Sequence, residues 1–141
     1  MLVSHLRTAA GIAAIAFITA CGSESATAAP SVVGDFMLQT VNGKLLPYTV
    51  SDFPTSGVQI LVVSPSMMSL RSNGTFLFTV TTKATIPGMS PVVQVDTAAG
   101  TYRLTGRTLS MTAQGTTNQA EWDGGSRLTL NAMPDVLVFV R

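Results

Sequence analysis

The sequence predicts an all-β protein: an antiparallel, up-and-down β-barrel of about eight to ten strands that follows an N-terminal signal segment. Three observations support this prediction. Apolar and polar residues alternate along most of the chain, short turn signals separate the alternating runs, and no segment has the 3.6-residue period of an amphipathic helix. A sandwich is the alternative closure. We favour a barrel because a long meander otherwise leaves two unpaired edge strands.

Residues 1–20 have the three parts of an export signal. A short basic region with His5 and Arg7 precedes an apolar stretch of twelve residues from Ala9 to Ala20, which ends in small residues. Such a stretch rises only about 18 Å as a helix, too short for a hydrocarbon core of about 30 Å. We therefore expect a signal peptide rather than a transmembrane anchor.

Cys21 is the only cysteine of the chain and directly follows Ile18-Thr19-Ala20. These four residues resemble the lipobox of bacterial lipoproteins. The resemblance implies cleavage before Cys21, a diacylglycerol on its sulfur and an acylated amino terminus. The alternatives are an ordinary secreted protein cut near the same place, or a disulfide, which would need a cysteine outside this chain. Two or three acyl chains would hold the protein stably on a membrane.

Residues 21–31 are predicted to be the lipidated cysteine and a flexible tether. The stretch from Gly22 to Ser31 contains no large apolar side chain, so it cannot pack a core. Gly22 is not the aspartate that commonly retains enterobacterial lipoproteins at the inner membrane. The resemblance therefore implies a cell-envelope protein, anchored to the periplasmic side of the outer membrane if the cell has two membranes.

Residues 32–141 are long enough for one compact β-domain and too short for two. Seven basic and six acidic residues are scattered through this range. Because no basic stripe is present, the sequence lacks the electrostatic signature of nucleic-acid binding. We expect no nucleic-acid partner.

The alternating runs locate the strands of this domain. Phe76, Phe78 and Val80 fall on one face of their run, and three similar runs place the following residues inward: Tyr102 and Leu104; Leu109, Met111 and Ala113; Leu128, Leu130 and Ala132. The predicted strands are 34–41, 44–50, 58–63, 66–72, 75–82, 92–96, 100–105, 107–113, 118–122, 126–132 and 135–141, with a loop at 83–91. Some of these strands are expected to merge.

Four turn signals separate the strands. They are Asn42-Gly43, Asn73-Gly74, Thr105-Gly106 and Asp123-Gly124-Gly125. Asn-Gly is a strong hairpin signal because both central residues of a type I′ turn need positive φ. Consecutive hairpins predict an antiparallel meander.

Four segments carry a second resemblance: GDFMLQTVNGKLLPYTV (34–50), LRSNGTFLF (70–78), AAGTYRLTGRTLSMT (98–112) and RLTLNAMPDVLVFVR (127–141). Together they resemble the lipocalin-like domains of bacterial lipoproteins. These motifs consist of strand and turn residues, so the resemblance implies a fold and not a chemistry. The small META-type domains of bacterial envelope proteins share a similar opening strand and are the alternative.

The resemblance also implies a contact at the barrel floor. Lipocalins begin with Gly-x-Trp, and the tryptophan lies under an arginine from the last strand. This chain has Gly34-Asp35-Phe36 and Arg141 in the corresponding places. We therefore expect a cation–π contact between Phe36 and Arg141. A solvated Arg141 is the alternative.

The sequence shows no constellation of residues for catalysis, so we expect a non-enzymatic protein without a cofactor. After removal of the signal, the chain has no histidine and no second cysteine, which excludes His- or Cys-based metal sites and Ser–His or Cys–His pairs. Glu121 and Asp123 are the one close carboxylate pair. Since Asp123 begins a glycine-rich turn, we interpret it as a turn residue.

Apolar side chains are the candidates for a binding site. Phe76, Phe78, Tyr102, Met111, Met67 and Met68 are the predicted ligand-binding residues, with Met67, Met68 and Met89 expected in loops at a barrel mouth. The first functional hypothesis is a barrel that binds a small hydrophobic ligand. The second is a solid barrel that binds another envelope protein, whose identity is unknown. An apolar cavity of about 300 Å³ or more would favour the ligand.

Overall fold

The computed structural model describes residues 31–141; the signal segment and Cys21 lie outside the described residues. The described chain has ten strands and no helix. The strands are β1 (Gly34–Val41), β2 (Lys44–Leu45), β3 (Tyr48–Phe53), β4 (Val58–Leu70), β5 (Thr75–Thr85), β6 (Val92–Thr105), β7 (Thr108–Ala113), β8 (Thr116–Trp122), β9 (Arg127–Ala132) and β10 (Asp135–Val140).

Eight of these strands form a closed antiparallel barrel, as the sequence predicts. Strands β4 to β10 pair consecutively, β10 pairs with β1, and β1 pairs with β4 to close the ring. The two additional strands lie outside the ring, because β2 pairs with the end of β1 and β3 pairs with the start of β4. The sandwich alternative is therefore wrong.

The inward faces are those predicted from the alternation. Buried side chains on β7 and β9 alternate with polar side chains, and Phe78 and Val80 of β5 pack against the same core. Phe78 meets Phe139 edge to face, with ring centroids 5.8 Å apart. Leu104 is an exception, since it is 36% exposed. It lies next to the last residue of β6, opposite the fully buried Leu109 of β7.

One of the two Asn-Gly turns has the predicted type I′ geometry. Asn42 and Gly43 both have positive φ, at 52° and 75°, as a type I′ turn requires. Asn73-Gly74 makes a different turn, in which only Gly74 has positive φ and its N–H bonds the Arg71 carbonyl oxygen at 3.1 Å. A further hairpin turn at Gln114-Gly115 has φ values of 49° and 79°.

Several predicted boundaries are wrong because strands continue through weak signals. The ranges 58–63 and 66–72 belong to the single strand β4, which places Met67 and Met68 in the barrel wall rather than in a mouth loop. The ranges 92–96 and 100–105 both belong to β6, and β5 extends to residue 85, so the loop spans only 86–91. The range 44–50 is divided into β2 and β3 at Leu46-Pro47, because proline has no N–H for a ladder.

The strands differ in length, and this difference creates a sheet that projects beyond the barrel wall. Strands β4, β5 and β6 have 11 to 14 residues, whereas β7 to β10 have 6 or 7. We call the projecting part the overhang: β3, residues 58–63 of β4, 79–85 of β5 and 92–98 of β6. Its two hairpin tips touch, since a Cβ on Gly57 would lie 2.6 Å from the Pro87 ring.

A bulge in β4 marks the junction between the barrel and the overhang. The register to β5 shifts between Val63 and Met67. Ser66 is 1% exposed; its hydroxyl donates to the Val63 carbonyl oxygen at 2.9 Å and accepts from the Thr81 N–H at 2.9 Å. The Thr81 hydroxyl donates to the Pro65 carbonyl oxygen. These bonds satisfy polar groups that the bulge takes out of the ladder.

The opposite end of the barrel is closed by a floor of aromatic side chains. The Arg141 guanidinium lies 4.9 Å from the ring centroid of Phe36, which confirms the predicted contact. It also donates to the carbonyl oxygens of Ser31, Val33 and Gly125 at 2.8–3.0 Å. The Trp122 indole N–H bonds the same Gly125 oxygen at 2.9 Å.

Candidate ligand cavity

An apolar cavity of about 160 Å³ lies inside the barrel. Strands β4 to β10 each contribute to its wall, because their inward side chains point to a common axis. The lining residues are Met68, Phe76, Phe78, Ala98, Met111, Ala113, Asn118, Leu130, Ala132 and Leu137. Asn118 is the only lining residue with a polar side chain. The cavity can therefore hold an apolar group and offers one amide for orientation.

Four of the six predicted ligand-binding residues line this cavity. Phe76 and Phe78 alternate on β5, and Met68 and Met111 face them from β4 and β7. Met67 does not line the cavity. It is the neighbour of Met68 on β4 and faces the outside of the barrel, where it pairs with Met37 and Thr79.

Tyr102 packs against the core but does not line the cavity either. Its hydroxyl donates to the Arg71 carbonyl oxygen at 2.7 Å, which fixes the ring to the 71–74 turn. Partial burial raises the pKa of this phenol above its usual value. Tyr102 thus stabilises a turn near the floor.

Sequence reasoning missed the small residues that make the cavity possible. Ala98, Ala113 and Ala132 lie on inward faces at the ends of their alternating runs, where larger side chains would fill the space. The available signal was the alanine that ends the inward face of β7 and of β9. From Leu109 through Met111 to Ala113, the inward side chains shrink toward the overhang end.

A second cavity of about 250 Å³ lies under the overhang and adjoins the first. Phe78 and Leu137 line both cavities. The remaining lining residues are Leu38, Val41, Tyr48, Val50, Val62, Val80, Thr82 and Asp135. A ligand that occupies both spaces would pass the Phe78 ring.

A hydrogen-bond network holds one side of this second cavity. The Asn42 amide donates to the Tyr48 hydroxyl at 3.1 Å and to Asp135 Oδ1 at 2.8 Å, and its oxygen accepts from the Val136 N–H at 2.8 Å. Asn42 therefore links β3 to β10 across the mouth of the barrel. Asp135 is the only charged residue that lines either of the two cavities.

The inner cavity lies beside a gap in the barrel wall. Strand β6 pairs with β7 only from Thr101 to Thr105, whereas β6 continues along β5 back to Val92. Ala98 and Ala113 line the cavity on the two sides of the point where this pairing ends.

Asp123 has a structural role in its turn. Its Oδ1 accepts from the N–H groups of Gly125 at 2.7 Å and Arg127 at 3.1 Å. These two bonds are the main reason that the pKa of the carboxyl lies below its usual value, and the nearby Arg107 and Arg127 charges add to the effect. Among residues 31–141, no cluster of three or more His, Cys, Asp or Glu side chains could hold a metal ion.

The described part of the chain contains no helix able to cross a membrane. No protein-family model, no curated protein and no solved structure matches this chain.

Proposed function

We propose that this chain is a lipid-anchored protein of the bacterial cell envelope whose β-barrel binds a small, uncharged, apolar ligand. The observation that supports ligand binding is the apolar cavity around Phe76, Phe78 and Met111. Support for the anchor and the envelope location comes from the lipobox-like sequence that ends in Cys21. The lipocalin-like resemblance of residues 34–141 is consistent with a binding role.

The charges around the cavities favour an uncharged ligand. Neither cavity has a lysine or arginine in its lining, and the outer one includes the Asp135 carboxylate. A fatty-acid carboxylate would be left unpaired inside or repelled at the mouth, and burying an unpaired charge is strongly unfavourable. A neutral quinone-like or hydrocarbon ligand avoids that cost.

The size of the cavities favours an elongated ligand. Each cavity alone is smaller than the roughly 300 Å³ of a typical small-molecule site. Because the two adjoin at Phe78 and Leu137, a ligand can extend from the inner space into the outer one. Methionine side chains can adapt to such a ligand because they are flexible and polarizable.

Binding is a better proposal than catalysis because the inner lining contains no acid, base or nucleophile. A barrel that only contacts a protein partner would need no internal space. Neither cavity reaches about 300 Å³ alone, so the preference for a ligand over a protein partner rests on joint occupation of the two adjoining cavities.

The first experiment is native mass spectrometry of the full chain purified from membranes, combined with a matched pair of variants. Ala98 faces the inner cavity, whereas its neighbour Ala99 is exposed on the outer face. Ala98→Phe should fill the cavity and remove a co-purifying apolar molecule, or weaken binding of a neutral fluorescent probe at least about tenfold. Ala99→Phe should leave binding unchanged. Equal binding by both variants, or no ligand and no probe binding in the unmodified protein, would refute the ligand proposal.

The second experiment tests the anchor separately. Cys21→Ser should abolish lipid attachment, leave the precursor unprocessed by the lipoprotein peptidase and prevent incorporation of radiolabelled fatty acid into the protein. Metabolic labelling with palmitate and membrane fractionation measure these changes. A variant that is still labelled and membrane-bound would show that Cys21 is not the attachment point.

A further inference from the structure

Strand β6 has a free edge in the overhang. Its residues 92–101 pair with β5, but only residues 101–105 pair with β7. Among the described residues, nothing pairs with the second side of residues 92–98. This seven-residue stretch is longer than a typical free edge that a small domain leaves unprotected.

The backbone groups that point to this edge follow from the alternation of an antiparallel ladder. The Tyr102 N–H donates to the Gly74 carbonyl oxygen at 2.7 Å, so it points to the β5 side. Every second residue from there shares that direction, and the residues between them point the other way. The N–H and C=O groups of Val93, Val95 and Thr97 therefore face the free edge.

The same stretch is apolar and exposed. Val92, Val93 and Val95 are 55%, 60% and 58% exposed. Proteins usually protect an edge strand with lysine, proline or a bulge. Residues 92–98 contain no lysine or proline, and their register to β5 is continuous. Unpaired backbone groups beside exposed valines are suited to another extended strand, and not to a lipid or small molecule.

We propose that β6 pairs with β6 of a second copy of this chain, antiparallel, across a two-fold axis at Val95. This interaction does not depend on the ligand proposal. Full pairing of residues 92–98 places Val95 opposite Val95, because Val95 is the middle of the seven. The remaining opposed pairs are Val92 with Ala98, Val93 with Thr97, and Gln94 with Asp96. The two overhangs would then form one continuous sheet.

Hydrogen-bond complementarity between Gln94 and Asp96 favours this register and a second copy as the partner. Asp96 is the only charged residue in the stretch, and the Val95 axis places it opposite the Gln94 amide of the other copy. Gln94 Nε2 already donates to Asp96 Oδ1 within one chain at 2.8 Å, so the two side chains share a face and match in geometry. An axis at Asp96 would oppose two carboxylates, which destabilises a strand pair. The edge is therefore complementary to itself in one register.

The test uses the full-length protein in detergent, studied by analytical ultracentrifugation up to about 100 µM. We expect a concentration-dependent dimer. Val95→Lys places two like charges opposite each other at the axis and should weaken dimerisation at least about tenfold. Thr49→Lys is the control, because Thr49 is an exposed residue on β3, the other edge strand of the overhang, and lines neither cavity. It should leave the dimer intact, and circular dichroism should show that both variants are folded.

Cross-linking tests the register. In a hydrogen-bonded antiparallel pair the Cα atoms lie about 5.5 Å apart, within the range of a disulfide. Val95→Cys should give a covalent dimer on mild oxidation, and Thr49→Cys on the other edge strand should not. A monomer at all concentrations, a dimer unaffected by Val95→Lys, or equal cross-linking at both positions would overturn the proposal.

Discussion

The floor and the overhang consist of similar alternating strands, yet they differ sharply in burial. At the floor, Phe36 is fully buried and Trp122 is 5% exposed. At the other end are all of the large apolar residues in the described chain that are at least half exposed: Leu45, Val50, Phe53, Met89, Val92, Val93, Val95 and Met133. Alternation alone does not bury a side chain.

The difference shows what completes a β-barrel core. At the floor, every strand has neighbours on both sides and the Arg141 guanidinium covers the aromatic rings. In the overhang, β6 loses β7, and Val92, Val93 and Val95 of β6 remain exposed. Apolar surface is buried only where another layer faces it. The floor therefore stabilises the fold, and the overhang is available for binding.

The largest expected effect comes from truncating a ring in each region. Phe36→Ala removes a fully buried side chain and should lower the free energy of unfolding by about 3–5 kcal/mol. Phe53→Ala removes a ring that is 51% exposed and should cost less than about 1 kcal/mol. Urea denaturation measures both. Similar losses would mean that the overhang contributes to the core as the floor does.

Gly100 tests the point where β6 leaves the barrel. A Cβ there would lie against the Thr112 carbonyl oxygen and 2.7 Å from the Phe76 ring, so Gly100→Ala must displace a strand and should cost about 3 kcal/mol. Gly125→Ala is the control at the floor, since its Cβ would meet nothing closer than 3.5 Å. Its midpoint in urea should stay close to that of the unmodified protein. Equal losses of unfolding free energy in the two variants would contradict the tight approach of β6 to β7.

Ser66 tests the bulge that joins the two regions. Ser66→Ala leaves the buried Thr81 N–H without its acceptor, which should cost about 1–3 kcal/mol. The exposed Ser64 in the same bulge is the control, and Ser64→Ala should change stability by less than about 0.5 kcal/mol. Hydrogen exchange at Thr81 should also become faster in the Ser66 variant. Unchanged exchange would show that this bond does not hold the junction.

The smallest expected effect is on the pH dependence of stability, through Asp123 at the floor. The pKa of Asp123 is lowered in the folded state, so its stabilising contribution is present above the unfolded value of about 3.9 and is lost as the pH falls below it. Asp123→Asn keeps an acceptor oxygen but removes this titration. Its Tm should fall less steeply below about pH 4 than that of the unmodified protein. Parallel curves of Tm against pH for Asp123→Asn and the unmodified protein would contradict the prediction.

Much of the fold could be predicted because its signals are local. The inward faces of β5, β7 and β9 follow from alternation, and the Asn42-Gly43 hairpin follows from its turn residues. The Phe36–Arg141 contact was predicted from a family resemblance and is present. Four of the six predicted ligand-binding residues line the inner cavity, because each has its side chain on the inward face of its strand.

The remaining features depend on residues that are distant in sequence. Met67 was misplaced because the strand through Ser64-Pro65-Ser66 continues across a bulge that only pairing to β5 reveals. Ala98 and Ala113 were missed because an alanine makes a cavity only when the facing side chains leave the space unfilled.

The sequence by itself determined the all-β class and the faces of the strands, because side-chain direction along a strand is set by each residue's immediate neighbours. The tertiary structure decided between barrel and sandwich, through the pairing of β1 with β4. Only the tertiary structure decided where each strand loses its partner. The overhang, the inner cavity and the free edge of β6 all lie where pairing between strands ends. Pairing depends on how the lengths and registers of the strands match across the barrel.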